Sequence, residues 1–366
     1  MKIAFDHQIF CRQSFGGISR YFANLVEHLG HYDAESKVVA PLHVNYYLSK
    51  LAPQYVQGKY INRYPKGLKT LATAYNTISA KKMLKNWAPD IVHETFFSKT
   101  ASLPGTQKTI MTVYDMIPEL YPESFRNPSE MALKKASALK RADHVICISE
   151  NTKMDLLRLL DISEDKVTVV HLGSGLPLAS IPSKGELPNI DSPYLMYIGQ
   201  RGGYKNFTGL MKAIACSTTL RNSVRVVCFG GGAFTASELS EMKQIGLSEK
   251  QFVQLGGSDD LLYSLLQHAA AFVFPSLYEG FGIPPLEAMA CGCPVVSSDI
   301  SSMPEVIGSA GEFFNPSEPE DIAASIEKVL SDEHYAQQLV SLGDKRIKQF
   351  SWDKCAQETY AVYSRL

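Results

Sequence analysis

Twice along this chain, short apolar runs rich in β-branched residues alternate with amphipathic helical stretches, and the two series are separated by residues 173–193, GSGLPLASIPSKGELPNIDSP, which hold four prolines and no periodicity. Strand-sized runs alternating with helix-sized ones form the pattern of parallel sheets wound by crossover helices, so two doubly wound α/β domains are expected. In the first series the strands are expected at Lys2–Phe5, Lys37–Ala40, Asp90–His93, Lys108–Val113, His144–Ile148 and Lys166–Val170. Helices are expected between them at Gly17–Leu29, Leu68–Asn86, Ser129–Arg141 and Asn151–Leu160. The second series places strands near Tyr194–Ile198, Arg225–Phe229, Phe252–Gln254, Ala271–Phe274 and Pro294–Val296. This gives a Rossmann-like domain over 1–173, a linker over 174–193, a second Rossmann-like domain over 194–350, and a segment 351–366 returning to the first. Ligands of such sheets bind outside the strand carboxyl ends, so the site is expected where two such ends face each other across a cleft.

The 366 residues suffice for two cores, and 45% hydrophobic with 20% charged residues excludes disorder and collagen-like structure. A formal net charge of −1 supplies no global field for nucleic acid. Seven cysteines, odd in number and mostly inside apolar runs, read as reduced and buried. Cys291-Gly292-Cys293 is too tight for a zinc knuckle, and neither a metal nor a cofactor is expected. With no leader-like start and no run of about 18 apolar residues, the expectation is a cytoplasmic protein, at most peripheral on the inner face of a membrane.

Three stretches carry chemistry. In PSLYEGFGIPPLEAMA, residues 275–290, a strand end leads through a glycine turn into a helix opened by Pro284. The N–H groups of Phe281, Gly282 and Ile283, with the helix dipole behind them, suit an anion. Glu279 and Glu287 are either solvated charges or acceptors for the hydroxyls of a sugar or ribose. In YIGQRGGYKNF, residues 197–207, Arg201 and Lys205 on a glycine turn suit a diphosphate. In the first domain, Gly16-Gly17 at a helix start permits close approach of a phosphate or sugar, without the G-x-G-x-x-G of a dinucleotide fold. Tyr114-Asp115 and His93 stand at strand carboxyl ends as further polar candidates.

The block PSLYEGFGIPPLEAMACGCPVVSS, with its Glu279-x7-Glu287 pair, resembles the donor site of the retaining glycosyltransferases of family 4, and the likeness extends over almost the whole chain. The resemblance implies the GT-B fold and transfer of a hexose from a nucleotide diphosphate sugar, GDP-mannose first and a UDP-hexose second. The acceptor would be a glycan or a lipid-linked glycan of cell-surface polysaccharide assembly. Residue by residue it implies Arg201, Lys205 and Glu279 as catalytic, and Gly16, Gly17, Tyr114, Phe281, Gly282, Ile283 and Glu287 as donor-binding. His93 and Asp115 become candidate sugar or acceptor contacts. The chain departs from the family in two places: Gln200 stands where the family's Arg usually follows the glycine, and Tyr114 stands where a His usually precedes Asp115. An inactive GT-B binding subunit, a phosphorylase-like enzyme and a nucleotide-sugar epimerase are the alternatives. The lysines at 66, 69, 81, 82 and 85 read as a solvated face, or as contacts to anionic lipid or a lipid-diphosphate acceptor.

Overall fold

The computed structural model describes residues 1–174, 190 and 193–366. The expected linker, apart from residues 174, 190 and 193, lies outside the described residues. The chain divides into two units, Met1–Gly173 with Trp352–Leu366, and Ser174–Ser351.

The first unit is built on seven strands: β1 (Lys2–Phe5), β2 (Glu35–His43), β3 (Val56–Tyr60), β4 (Ile91–Glu94), β5 (Lys108–Val113), β6 (His144–Cys147) and β7 (Val167–Val169). All pair in parallel in the order β3-β2-β1-β4-β5-β6-β7. Helices on both faces bury the central strands, which is why Ile91-Val92-His93-Glu94 is buried at every position. Helix α1 (Gly17–Leu29) follows β1, and helix α2 (Lys69–Trp87) precedes β4. The chain winds outward from β1 to β3, then returns beside β1 as β4. The order therefore reverses between β1 and β4, and the loops after these strands, with the Gly16-Gly17 turn, lie at the switch point where ligands of such sheets bind.

The second unit repeats the plan with β8 (Tyr194–Ile198), β9 (Arg225–Phe229), β10 (Phe252–Leu255), β11 (Ala271–Phe274), β12 (Val295–Ser298) and β13 (Gly311–Phe314). The parallel order is β10-β9-β8-β11-β12-β13, with its switch point between β8 and β11. The loops that leave those two strands are the Gly199–Asn206 turn and the Pro275–Gly282 segment. Beneath them Phe207 packs on Tyr197 and Phe252, with ring centroids 5.1 and 5.9 Å apart, in a core shared with Leu195, Val226 and Val273.

Two strands escape the periodicity. The edge strand β3 reads Val-Gln-Gly-Lys-Tyr, half-exposed to exposed, so no apolar run marks it. Its Gly58 is required by close approach, since a Cβ there would lie 1.7 Å from the Ala40 carbonyl oxygen of β2. Edge strand β13, Gly-Glu-Phe-Phe, is half-buried at its first three positions. Three helices of four to six residues, Ile117–Leu120, Thr218–Ser223 and Met303–Ile307, are too short to show a period. The last helix, Trp352–Tyr363, belongs to the first unit, where Tyr360 stacks on Tyr32 at 5.1 Å. Among the described residues no helix is long and apolar enough to cross a membrane.

Candidate donor site

Lys205 closes a single turn, Gly203–Lys205, between β8 and the helix Phe207–Cys216. Its ammonium lies 2.6 Å from Glu279 Oε1, a carboxylate only 9% exposed that stands on the loop leaving β11. Three sets of contacts fix this pair. Asn206, held in the left-handed region at φ 53, donates its amide to the carbonyls of Pro275 (3.0 Å) and Pro316 (2.8 Å). Leu277 N–H donates to the Tyr204 carbonyl at 2.7 Å. Ser301 accepts from Glu279 N–H at 2.9 Å, and the fully buried Ser302 hydroxyl faces the carbonyls of Glu279 (2.9 Å) and Phe281 (3.0 Å). Ser301 has φ 54, a backbone conformation a serine adopts only where its surroundings enforce it.

The helix Ile283–Ala290 starts directly after Gly282, whose φ of +104 and near contact with Met303 exclude a side chain. Pro284 and Pro285 remove two of the N–H groups a helix start would offer, which narrows the anion donors there to the amides of Phe281, Gly282, Ile283 and Leu286. Phe281 is anchored by an edge contact to Phe350 at 5.6 Å. Glu287, one turn into the helix, is 7% exposed. Nearby, at the carboxyl ends of β11 and β12, the hydroxyls of Ser276 and Ser298 are buried and have no hydrogen-bond partner. This edge thus gathers a cation, two nearly buried carboxylates and the backbone donors of a helix start, a set able to hold a phosphate and a polyhydroxyl ring.

Arg201 departs from expectation. Its guanidinium is turned away into a buried cluster, pairing with Glu238 at 2.7 Å, donating to the carbonyls of Gly232 (3.0 Å) and Ala233 (2.9 Å), and lying 4.6 Å from the Phe234 ring. Burial opposes ionisation of Glu238, but Arg201 and the Thr235 contacts outweigh it and hold the carboxyl below its usual range. Gly230, Gly231 and Gly232 all have positive φ, and a Cβ on Gly231 would strike Arg201, so the arginine braces this glycine turn.

In the first unit, three expected contacts are internal. His93 is fully buried, its ring nitrogens 2.6 Å from the Tyr363 hydroxyl and 2.8 Å from the Thr112 hydroxyl. Burial pulls its pKa down to about 3, so it is a neutral core histidine with both ring nitrogens engaged inside the unit. Asp115 accepts the N–H of Ile117 on one carboxylate oxygen at 3.0 Å, a local turn just before the short helix Ile117–Leu120, and its carbonyl accepts from Lys135. Tyr114 is 8% exposed, packed edge-on to Tyr21 and Phe22, and burial pushes its phenol far above the ordinary range. It cannot act as a base. Gly17 is exposed with open space where a side chain would lie, whereas a Cβ on Gly16 would meet Gln13. The pair leaves the start of α1 open to a ligand.

Sequence reasoning missed Asn206, Ser301 and Ser302, which hold the Lys205–Glu279 pair. Asn206 is legible afterwards as the residue before a helix that tolerates the left-handed region; the serines carry no such signal.

Residues 15–174 match the family described as Glycosyltransferase Family 4, and residues 183–346 match Glycosyl transferases group 1. The serotype-specific mannosyltransferase WbdA of Escherichia coli is 30% identical over 309 residues, which cover 77% of this chain but only 38% of that protein. This chain therefore spans a little over a third of the length of that relative. The O-antigen chain mannosyltransferase B of E. coli is 30% identical over 275 residues, 71% of each chain. Among solved structures, Anabaena Alr3699/HepE in complex with UDP and glucose superposes over all of both chains, with a TM-score of 0.73 at 17% identity, a likeness of fold.

Proposed function

From the premise that this chain belongs to glycosyltransferase family 4, with the two Rossmann-like α/β units of the GT-B fold class, we propose that it transfers a hexose, in the first instance mannose, from a nucleotide diphosphate sugar to an acceptor hydroxyl with retention at the anomeric carbon. The observation that carries this reading is the Lys205–Glu279 pair, 2.6 Å apart and locked beside the start of the helix Ile283–Ala290. A diphosphate seated against Lys205 and the Phe281–Ile283 amides gathers charge as the glycosidic bond breaks, and fixed donors stabilise that charge most in the transition state. Glu279 then turns from Lys205 to the sugar hydroxyls, and Glu287 takes the ribose. The acceptor oxygen bonds the anomeric carbon on the face the diphosphate leaves, and its proton passes to the departing phosphate oxygen. No side chain is needed as a base, in keeping with a buried neutral His93 and a buried Tyr114.

The two E. coli mannosyltransferases support mannose, with GDP-mannose as first donor, and HepE with UDP and glucose supports a UDP-hexose as second. The acceptor is a glycan or lipid-linked glycan of surface polysaccharide assembly, met in the cytoplasm or at the inner face of the membrane. A thermal-shift panel of nucleoside diphosphates tests the reading. A ligand at 100 times its Kd stabilises by about 2.7 kcal/mol, so GDP or UDP should raise the melting temperature visibly. No shift with any nucleoside diphosphate would reject it.

A further inference from the structure

We propose that Arg346, in the last turn of the helix Glu333–Arg346, is a positioning residue for the donor loop, setting the Phe281 amide and the Glu279 carboxylate through the helix Met303–Ile307 and through Phe350; the name donor loop rests on the transferase reading above. The helix Met303–Ile307 has five residues, too few to hold a helix by themselves, so what grips its two ends decides where it lies. At its start the Ser302 hydroxyl faces the carbonyls of Glu279 and Phe281, and the Ser301 hydroxyl accepts from the Glu279 N–H. Met303 packs so near Gly282 that a Cβ on that glycine would lie 2.7 Å from the methionine Cε. At its end Arg346 donates from Nε to the Val306 carbonyl at 2.9 Å and from Nη2 to the Glu305 carbonyl, the last carbonyls being those a basic side chain can cap. Gly308 then turns the chain away at φ 59, and a Cβ there would come within 3.4 Å of the guanidinium carbon. One end of this helix is therefore held by the donor loop and the other by a single arginine.

A second route reaches the same place. The guanidinium lies 5.0 Å from the centroid of the Phe350 ring, and Phe350, itself buried, meets Phe281 edge-on at 5.6 Å. The backbone that carries this ring is pinned, because Ser174 donates both its N–H (3.1 Å) and its hydroxyl (3.0 Å) to the Phe350 carbonyl. Both routes end on Phe281, and the first ends on Glu279 as well. A guanidinium can donate in its plane to two successive carbonyls while it meets an aromatic ring, whereas the point charge of a lysine meets one of these demands at a time. Groups that bind by fixed geometry must be held to within about 0.5 Å, so slack in this short helix is felt at the site.

The test compares Arg346→Lys, Phe350→Leu and Gln349→Ala with the wild-type chain in two measurements. Amide hydrogen exchange of the nucleotide-free protein reads residues 277–283, with strands β8 and β9 of the same unit as the internal control. Calorimetry with GDP and with UDP reads what that segment does for a ligand. Arg346→Lys and Phe350→Leu should speed exchange over 277–283 by about tenfold or more while β8 and β9 keep their protection. The same two variants should bind the nucleotide about fivefold or more weakly than the wild type. Gln349 is exposed and accepts from Arg346 Nη1 on neither route, so Gln349→Ala should match the wild type in both measurements. Exchange over 277–283 that is unchanged in Arg346→Lys, or raised equally in β8 and β9, makes the arginine a general brace and overturns the proposal, as does a nucleotide affinity equal to that of the wild type. If neither nucleotide binds the wild type, the transferase reading fails, and the exchange comparison decides the positioning role on its own.

Discussion

Arg201→Met separates a brace from a ligand. The substitution removes a guanidinium that lies 4.6 Å from the Phe234 ring, pairs with Glu238 at 2.7 Å and donates to the carbonyls of Gly232 and Ala233 at 3.0 and 2.9 Å. Removing one partner of a buried ion pair costs about 3–5 kcal/mol. Glu238 keeps the Thr235 N–H at 2.6 Å, and its side chain is 18% exposed, so some of that loss is relieved. The expected cost is therefore about 2–3 kcal/mol, which at a urea m-value of about 1–3 kcal/mol/M moves the midpoint of the second unit by about 1 M or more. Both tryptophans, Trp87 and Trp352, lie in the first unit. Their fluorescence reports the first unit and far-ultraviolet circular dichroism both, so the shift should appear in the dichroism. Glu238→Gln and the double variant should show a favourable coupling of at least about 1 kcal/mol. An Arg201→Met protein with an unchanged midpoint and a kcat lowered by two orders of magnitude would refute the argument and return Arg201 to the diphosphate.

Glu287→Ala should weaken nucleoside diphosphate binding by about 1–3 kcal/mol through unpaired ribose hydroxyls, as read by calorimetry, and unchanged affinity in a folded variant removes that role. Transfer activity should survive EDTA, because Lys205 already holds the position beside Glu279 that a bridging cation would take; loss restored by Mg²⁺ or Mn²⁺ contradicts this. His93 fixes an acid limit of stability. Its folded pKa of about 3 lies below the unfolded value near 6.5, so its contribution is complete above pH 6.5 and falls by about 1.4 kcal/mol per unit as pH drops toward 3. Denaturation midpoints of His93→Gln should lack that component of the slope.

Central strands such as Lys2–Phe5, Lys108–Val113, Arg225–Phe229 and Ala271–Phe274 were legible because strands buried on both faces are largely apolar past their first residue. Edge strands β3 and β13 were not, since β3 is half-buried to exposed and β13 half-buried at three of its four positions, and apolar pressure relaxes there. The same contrast holds at the site. The turn and helix around Glu279 and Glu287 could be read locally, because glycine, proline and carboxylates at fixed offsets prescribe a backbone and a charge. The partners of Arg201 and His93 could not, because Glu238 and Tyr363 lie 37 and 270 residues away and only the folded chain brings them into contact. For His93 the burial of β4 on both sides outweighed its position at a strand end.

The most direct measurement is calorimetric titration of GDP and of UDP into the wild-type chain and Lys205→Ala. The account predicts that one nucleotide binds the wild type at one site and that the variant, still folded, binds it at least tenfold more weakly, about 1.4 kcal/mol or more for a lost charge-assisted contact. Equal affinity of the two proteins for that nucleotide, or no binding of either nucleotide to the wild type, would contradict it.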